Sequence, residues 1–115
     1  LPATDIEAAN QFVQNIWKSD FQKAEQLLFK DETNKQTLDG FEVYFKRRPA
    51  EELEKYKKAT IILNDVKQLN DSVSIINYSP DFNKTEKNEL KIIRSGGQWL
   101  IDLKYTIPQT DSTQK

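Results

Sequence analysis

The sequence predicts an α+β fold in which N-terminal helices pack on a curved, four-stranded antiparallel β-meander. Two observations carry this prediction. Apolar residues recur at helical spacing through the first half of the chain, and from Thr60 their period changes from 3.6 to 2. Gly96 and Gly97 then open a short alternating strand near the end of the chain. Helices and strands that occupy separate halves of a sequence are typical of the α+β class.

Length and charge limit the classes of protein that the chain can represent. Its 115 residues fit one domain with a modest core, since 37% of them are hydrophobic. The net charge of −1 provides no field that would attract nucleic acid, so no nucleic-acid partner is expected. No apolar run approaches the ~20 residues of a membrane span. We expect a linker over residues 1–5, one domain over residues 6–105 and a flexible tail over residues 106–115.

Three residue types are missing, and each absence restricts the chemistry. Without Cys there is no disulfide and no thiolate nucleophile, and without His there is no Ser-His-Asp triad. We therefore expect no metal site, no cofactor and no assignable catalytic residue. Because Met is also absent, the chain is expected to start after a removed segment, which could be a signal peptide, a lipoprotein leader or an artificial boundary.

Two helices are predicted at the start of the chain. Thr4 or Asp5 is the expected N-cap of the first, whose apolar arc consists of Ile6, Ala9, Phe12, Val13, Ile16 and Trp17. Ser19 and Asp20 are expected to end this helix and to cap the second, with Gln22 in the capping-box position relative to Ser19. The second helix presents an apolar face made of Phe21, Ala24, Leu27 and Leu28.

Two further helices are predicted before Thr60. Residues 31–34 are expected to form a polar loop, followed by a helix with Leu38, Phe41, Tyr44 and Phe45 on one face. Its end carries the basic run Lys46, Arg47 and Arg48, which could bind nucleic acid beside the aromatics but is better explained as a solvated helix end. Pro49 starts a short helix that Leu53 and Tyr56 anchor.

The strands are predicted from alternation. Ile61 and Leu63 share a face, and the phase slips at Asn64 and Asp65, which indicates a β-bulge. A turn at residues 70–71 and a loop over residues 79–87 separate the next strands. Their inward residues are expected to be Val73 and Ile75, then Leu90 and Ile92, and finally Trp99, Ile101 and Leu103.

These elements resemble a known superfamily. The helix corner in SDFQKAEQLL and the closing hairpin SGGQWLIDL are similar to those of NTF2-like (cystatin-like, cone-shaped α+β) domains. Within that superfamily the chain resembles small bacterial lipoprotein domains of unknown function, often called lumazine-binding-like. The resemblance implies an exported, membrane-anchored protein, periplasmic or at the cell surface. Enzymes of the superfamily place Asp, His, Tyr or Arg in the cone, and this chain has no His.

Candidate site residues are few. Trp17, Tyr44, Tyr78 and Trp99 could line the mouth of the cone and stack on a flat ligand, or they could be core side chains. Asp65 lies at the bulge, where it could be aimed into the cone as a base or could simply face solvent. We expect a non-enzymatic domain that binds a small molecule or a protein. The alternative is a small cone-fold isomerase or dehydratase that uses Asp and Tyr.

The outer face of the sheet is a candidate interface. We expect it to carry Ile62 and Leu100, together with Ile76 and Ile93. Exposed apolar patches often mark interfaces, and the resemblance implies dimerisation through this face. Asp102 and Lys104 share or border the face and would keep it hydrated, so the sequence predicts a weak or moderate homodimer through the sheet.

Overall fold

The first half of the described chain is helical, and the second half forms one sheet. The computed structural model describes residues 2–105, so the predicted tail over residues 106–115 lies outside the described residues. Four helices come first: α1 (Asp5–Trp17), α2 (Phe21–Glu25), α3 (Glu32–Lys46) and α4 (Ala50–Lys58). The strands follow as β1 (Ile61–Asn70), β2 (Val73–Pro80), β3 (Asn88–Ser95) and β4 (Gln98–Asp102), and a 3-10 turn over Leu103–Tyr105 ends the described chain.

The sheet is a simple antiparallel meander. Its strand order is β1-β2-β3-β4, and each neighbouring pair is antiparallel. The β3–β4 turn uses Gly96 and Gly97 at φ values of 59° and 79°, a conformation that costs glycine little. The predicted α+β class, the order of helices before strands and the four-stranded meander are confirmed.

The corner between α1 and α2 forms because Ser19 adopts a left-handed conformation, with φ of 63°. The Ser19 amide donates to the Ile16 carbonyl, and the Asp20 amide donates to the Asn15 carbonyl at 2.8 Å, which is the Schellman pattern. The predicted capping box of Ser19 and Gln22 is wrong. The residue that caps α2 is Asp20, whose carboxylate accepts from the Lys23 amide.

Two other helix predictions need correction. Residues 31–34 are not a loop, because the Asp31 carboxylate accepts from the Asn34 amide at 2.8 Å and starts α3 at Glu32. Ile6, which was placed in the apolar arc of α1, lies in the first turn of that helix and is 41% exposed. The rest of that arc is buried: Ala9, Phe12, Val13, Ile16 and Trp17.

The predicted bulge is present in β1. The register shifts between Leu63 and Asp65, so Leu63 pairs with Tyr78 and Asp65 pairs with Asn77. Asn64 occupies the extra position, and its side-chain amide donates to Asn77 Oδ1 at 2.9 Å and to Ser79 Oγ at 2.8 Å. The bulge therefore returns the apolar residues of β1 to the inner face one residue later, at Val66.

The assignment of faces in β2 is partly wrong. Ile76, which was expected on the outer face, is fully buried in the core. Ser74 shares its inner face, and the Ser74 hydroxyl donates to an Asp5 carboxylate oxygen at the start of α1. The outer face instead carries Val73 and Ile75, which were expected to face inward, because they alternate with Ser74 and Ile76 along β2. The other apolar residues of that face are Ile62, Ile93 and Leu100, each of which is half-buried.

Helix α1 packs across the inner face of the sheet, against β3 and β4, and its buried side chains join the core. The segment after α2 closes the far edge of β4: the Phe29 amide donates to the Ile101 carbonyl, and the Ile101 amide donates to the Leu27 carbonyl, both at 2.8 Å. This single parallel bridge between Leu28 and Ile101 was not predicted. The concave side of the sheet, α1 and α3 together enclose a cleft.

Candidate functional site

The cleft between the helices and the inner face of the sheet has a volume of about 470 Å³. Its walls come from α1, α3, α4, β2, β3 and the loop before β3. Six aromatic side chains dominate the lining: Phe12, Trp17, Phe41, Phe45, Tyr56 and Tyr78. Sites for small organic molecules occupy roughly 300–1,000 Å³ and are mostly apolar with a few placed polar groups. The cleft has the size of such a site, and its aromatic rings are joined by charged and amide side chains.

Helical and strand periodicity together bring the aromatic rings to one place. Trp17 is the last residue of the buried arc of α1, and Tyr78 is an inner-face residue of β2 just opposite the bulge. The Trp17 ring lies 5.8 Å from the Tyr56 ring and 6.2 Å from the Tyr78 ring, both in tilted contact. Phe45 meets Tyr56 edge to face at 5.5 Å. These contacts make a continuous aromatic wall.

Arg48 is the cation of this wall. Its guanidinium carbon lies 5.0 Å from the centre of the Tyr56 ring and 5.5 Å from that of Phe45. One terminal nitrogen, Nη1, lies 3.3 Å from the Glu52 carboxylate. The Nε atom is buried and has no hydrogen-bond partner among residues 2–105. Arg48 therefore brings a desolvated donor to the wall of an aromatic cleft.

Tyr56 and Glu86 form a second polar group in the lining. The Tyr56 hydroxyl donates to Glu86 Oε1 at 2.7 Å, and Asn88 donates to the other carboxylate oxygen at 3.2 Å. Burial, and then the hydrogen bond to Glu86, raise the pKa of Tyr56 to about 12. Burial also raises the pKa of Tyr78. Both phenols therefore stay protonated and can donate hydrogen bonds over the physiological pH range.

The predicted site residues divide into two groups. Trp17 and Tyr78 line the cleft together. Tyr44 is 67% exposed on α3, and Trp99 is half-buried against the core with the Arg94 guanidinium 5.7 Å from its ring. Asp65 is exposed on β1. The structure does not bring these last three residues to the cleft.

Among the lining residues that were not predicted as site residues, Arg48, Tyr56 and Glu86 carry the polar chemistry. Arg48 was interpreted as part of a solvated helix end, Tyr56 as a helix anchor, and Glu86 as part of a loop. For Arg48 a signal was available, because Tyr44 and Phe45 precede it closely and aromatic rings often hold a guanidinium. For Glu86 there was no local signal, because its partner Tyr56 lies 30 residues earlier.

Two further kinds of feature are absent from residues 2–105. No three acidic side chains converge there in a way that could hold a metal ion. In the same residues, none of the helices has the length and apolarity needed to cross a membrane.

Comparison with known proteins agrees on the fold. A solved structure from Campylobacter jejuni, provisionally described as an NTF2-like transpeptidase, superposes with a TM-score of 0.58, covering 83% of this chain and 94% of the other. The two sequences are 15% identical. No protein-family model matches the sequence. No curated protein matches it either. The chain thus has the NTF2-like fold, and the resemblance seen in its sequence is confirmed at the level of fold.

Proposed function

We propose that this domain is a non-enzymatic binding module that holds a small, flat, largely apolar molecule in the aromatic cleft. The observation that carries the proposal is the lining itself, in which six aromatic rings surround a space of about 470 Å³ and charged and amide side chains complete the wall. Aromatic walls favour flat ligands, because stacked and edge-to-face contacts add to the burial of apolar area. The polar groups Arg48 and Tyr56 would orient the ligand.

The position of Phe41 supports ligand access. Phe41 belongs to the lining and is still 43% exposed, so it lies where the cleft meets solvent. Trp17, by contrast, is 5% exposed and lies deep in the wall. A ligand that enters past Phe41 would cover that ring and approach Trp17, whose fluorescence would report the binding.

The alternative function, a cone-fold isomerase or dehydratase, has less support. That chemistry requires a carboxylate placed beside a tyrosine at the reacting carbon. Tyr78 lies in the cleft, but Asp65 does not line it. The lining does place a carboxylate beside a tyrosine, in Glu86 and Tyr56, but the two oxygens of Glu86 are already engaged by hydrogen bonds from Tyr56 and Asn88. Glu89 is the other carboxylate of the lining. The lining therefore favours binding.

A titration with a neutral flat fluorophore, 6-propionyl-2-(dimethylamino)naphthalene, tests the proposal. We expect saturable one-to-one binding with quenching of Trp17, measured in a Trp99→Phe background so that a single tryptophan reports. Phe41→Ala should weaken binding several-fold. Val43→Ala is the matched control, because Val43 is exposed on the same helix outside the lining. Binding that does not saturate, or that responds equally to both variants, would contradict the proposal.

We also propose, from the resemblance to bacterial lipoprotein domains, that the natural protein is exported and anchored to a membrane outside this domain. Fractionation of cells that express the full-length gene tests this. Recovery of the protein in the membrane fraction, accessible to added protease in spheroplasts, is the expected result. Recovery in the cytoplasmic fraction would contradict it.

A further inference from the structure

We infer that the ligand of the cleft carries a carboxylate, and that Arg48 selects for it. This inference rests on the proposed binding function and adds the chemical class of the ligand. It is carried by the buried Arg48 Nε, which has no hydrogen-bond partner among the described residues, in the lining of an aromatic cleft. Buried polar groups are nearly always paired, so an unpaired one in a binding site indicates that a partner is missing.

The geometry of the guanidinium defines what that partner is. Glu52 contacts Nη1 at 3.3 Å, which leaves the edge formed by Nε and Nη2 directed elsewhere. This edge presents two parallel N–H donors, and a carboxylate matches it with two oxygens. A neutral carbonyl has a single oxygen, so it can pair well with only one of the two N–H donors. The free edge thus favours a planar anion over a neutral polar group.

The surroundings of Arg48 hold this edge in place. The guanidinium lies against the rings of Tyr56 and Phe45, which fix its plane and keep water from it. An ion pair in such a desolvated position is stronger than one in water. The side chain as a whole remains 31% exposed, so part of it is open to solvent and to a ligand.

The other charges of the lining permit an anion. Lys87 is a second cation in the lining, and Glu86 is already neutralised in part by the hydrogen bonds from Tyr56 and Asn88. Glu89 is the second carboxylate of the lining and pairs with Asn77 in the register of the sheet. The lining itself carries two cations and two carboxylates, and Glu52, which pairs with Arg48, lies outside it. An acid is therefore selected by the directed N–H edge of Arg48 and not by the net charge of the cleft.

A matched pair of probes tests the inference by calorimetry: 6-methoxynaphthalene-2-acetate and its primary amide. The two have the same flat body and differ in charge. We expect the wild-type protein to bind the carboxylate about tenfold more tightly than the amide, the discrimination of one charge-assisted hydrogen-bonded pair. Equal affinities would overturn the inference and leave the proposed function standing. If neither probe bound, the inference and the proposed function would both be refuted.

Variants at Arg48 assign the preference to its side chain. Arg48→Gln should abolish the preference, so that this variant binds the carboxylate and the amide with equal affinity. Arg48→Lys, which keeps the charge and loses the planar edge, should retain only part of the preference. Arg47→Gln makes the same charge change at the exposed neighbouring residue and should leave the preference intact. A preference that survives Arg48→Gln would overturn the assignment.

Discussion

A hydrogen bond joins Asn34, in α3, to Leu103, in the turn that follows β4. The Leu103 amide donates to the Asn34 side-chain oxygen at 2.8 Å across 69 residues of sequence, and the Asn34 side-chain nitrogen donates to the Phe29 carbonyl at 3.0 Å. Asn34 is fully buried. One amide side chain thus connects α3, the segment beside β4 and the turn that follows β4.

The first prediction concerns this connection. Asn34→Ala should lower the free energy of unfolding by about 2–4 kcal/mol, because two buried backbone groups lose a partner at roughly 1–3 kcal/mol each. Asn10→Ala is the control, since Asn10 is exposed on α1, and it should change stability by no more than about 0.5 kcal/mol. Urea unfolding measures both values. Similar small changes in the two variants would show that the connection contributes little.

The second prediction compares the two tryptophans. Trp17 is 5% exposed and should cost about 3–5 kcal/mol when replaced by Ala, as large buried aromatics do. Trp99 is half-buried, so Trp99→Ala should cost less, about 1–2 kcal/mol by the area that it covers. Denaturant midpoints of the two variants give the comparison. A larger loss at Trp99 than at Trp17 would contradict the packing described for α1.

The third prediction follows from Tyr56. Burial and the hydrogen bond to Glu86 raise its pKa from 10.0 to about 12. A group whose pKa is higher in the folded state contributes stability that is complete below the unfolded value and is lost as the pH rises through the folded value. The free energy of unfolding should therefore fall between about pH 10 and pH 12.

Comparison with Tyr56→Phe tests this assignment. The variant should be less stable than the wild type at neutral pH, since it lacks the hydrogen bond to Glu86. Its deficit should narrow above pH 10, because no phenol at position 56 remains to ionise. A deficit that stays constant up to pH 12 would exclude Tyr56 as a source of the alkaline loss.

The fourth prediction concerns acid. The hydrogen bond from Lys104, and then that from the Asn34 amide, lower the pKa of Asp31 below 3.8. A lowered pKa contributes stability that is present above the unfolded value and is lost as the pH falls through the folded value. Asp31→Asn should therefore be less stable at neutral pH and lose less stability below pH 3.8 than the wild type. Asn preserves the capping acceptor, so the comparison isolates the charge. Parallel pH curves for the two proteins would contradict the prediction.

The fifth prediction is that the protein forms a weak homodimer through the outer face of the sheet, as expected from the sequence. The outer face still offers Ile62, Ile93 and Leu100, bordered by the Lys91–Asp102 ion pair. Sedimentation at rising concentration should show a gradual increase in mass that Ile93→Lys suppresses. Val43→Lys, at an exposed position on α3, should leave the increase unchanged. A constant monomer mass at the highest attainable concentration would contradict it.

Periodicity predicted the order of the elements, because the apolar spacing changes from helical to alternating where the helices end and β1 begins. It failed where neighbouring residues carry equivalent signals. Ile75 and Ile76 are both apolar, so alternation alone could not decide which faces inward, and the choice depends on Ser74 meeting Asp5 across the fold. Asn34 was placed in a loop because a buried amide is recognisable only through its distant partners.

The candidate site was predicted less well than the fold, for a related reason. Trp17 and Tyr78 belong to strongly patterned segments, and both lie in the cleft. Glu86 reaches it through its contact with Tyr56, which leaves no local pattern in the sequence, whereas for Arg48 the nearby aromatic residues were a signal that its charge outweighed. Charge near a helix end was a reasonable ground for placing Arg48 in solvent. In the structure the guanidinium lies against the rings of Phe45 and Tyr56 instead of in solvent.

The two edges of the sheet have different capacities for pairing with another molecule. At β4 the backbone of residues 27–29 occupies the hydrogen-bonding groups of Ile101. At β1 the described residues place only β2 alongside, so one side of a strand of ten residues lacks a backbone partner within them. Domain swapping and fibril growth begin at open edges of sheets. Charged residues on an edge strand oppose such pairing, and Asp65 and Lys67 lie beside the bulge of β1. Deleting Asn64 would remove the bulge and expose a straighter edge, so the variant is expected to aggregate through β1.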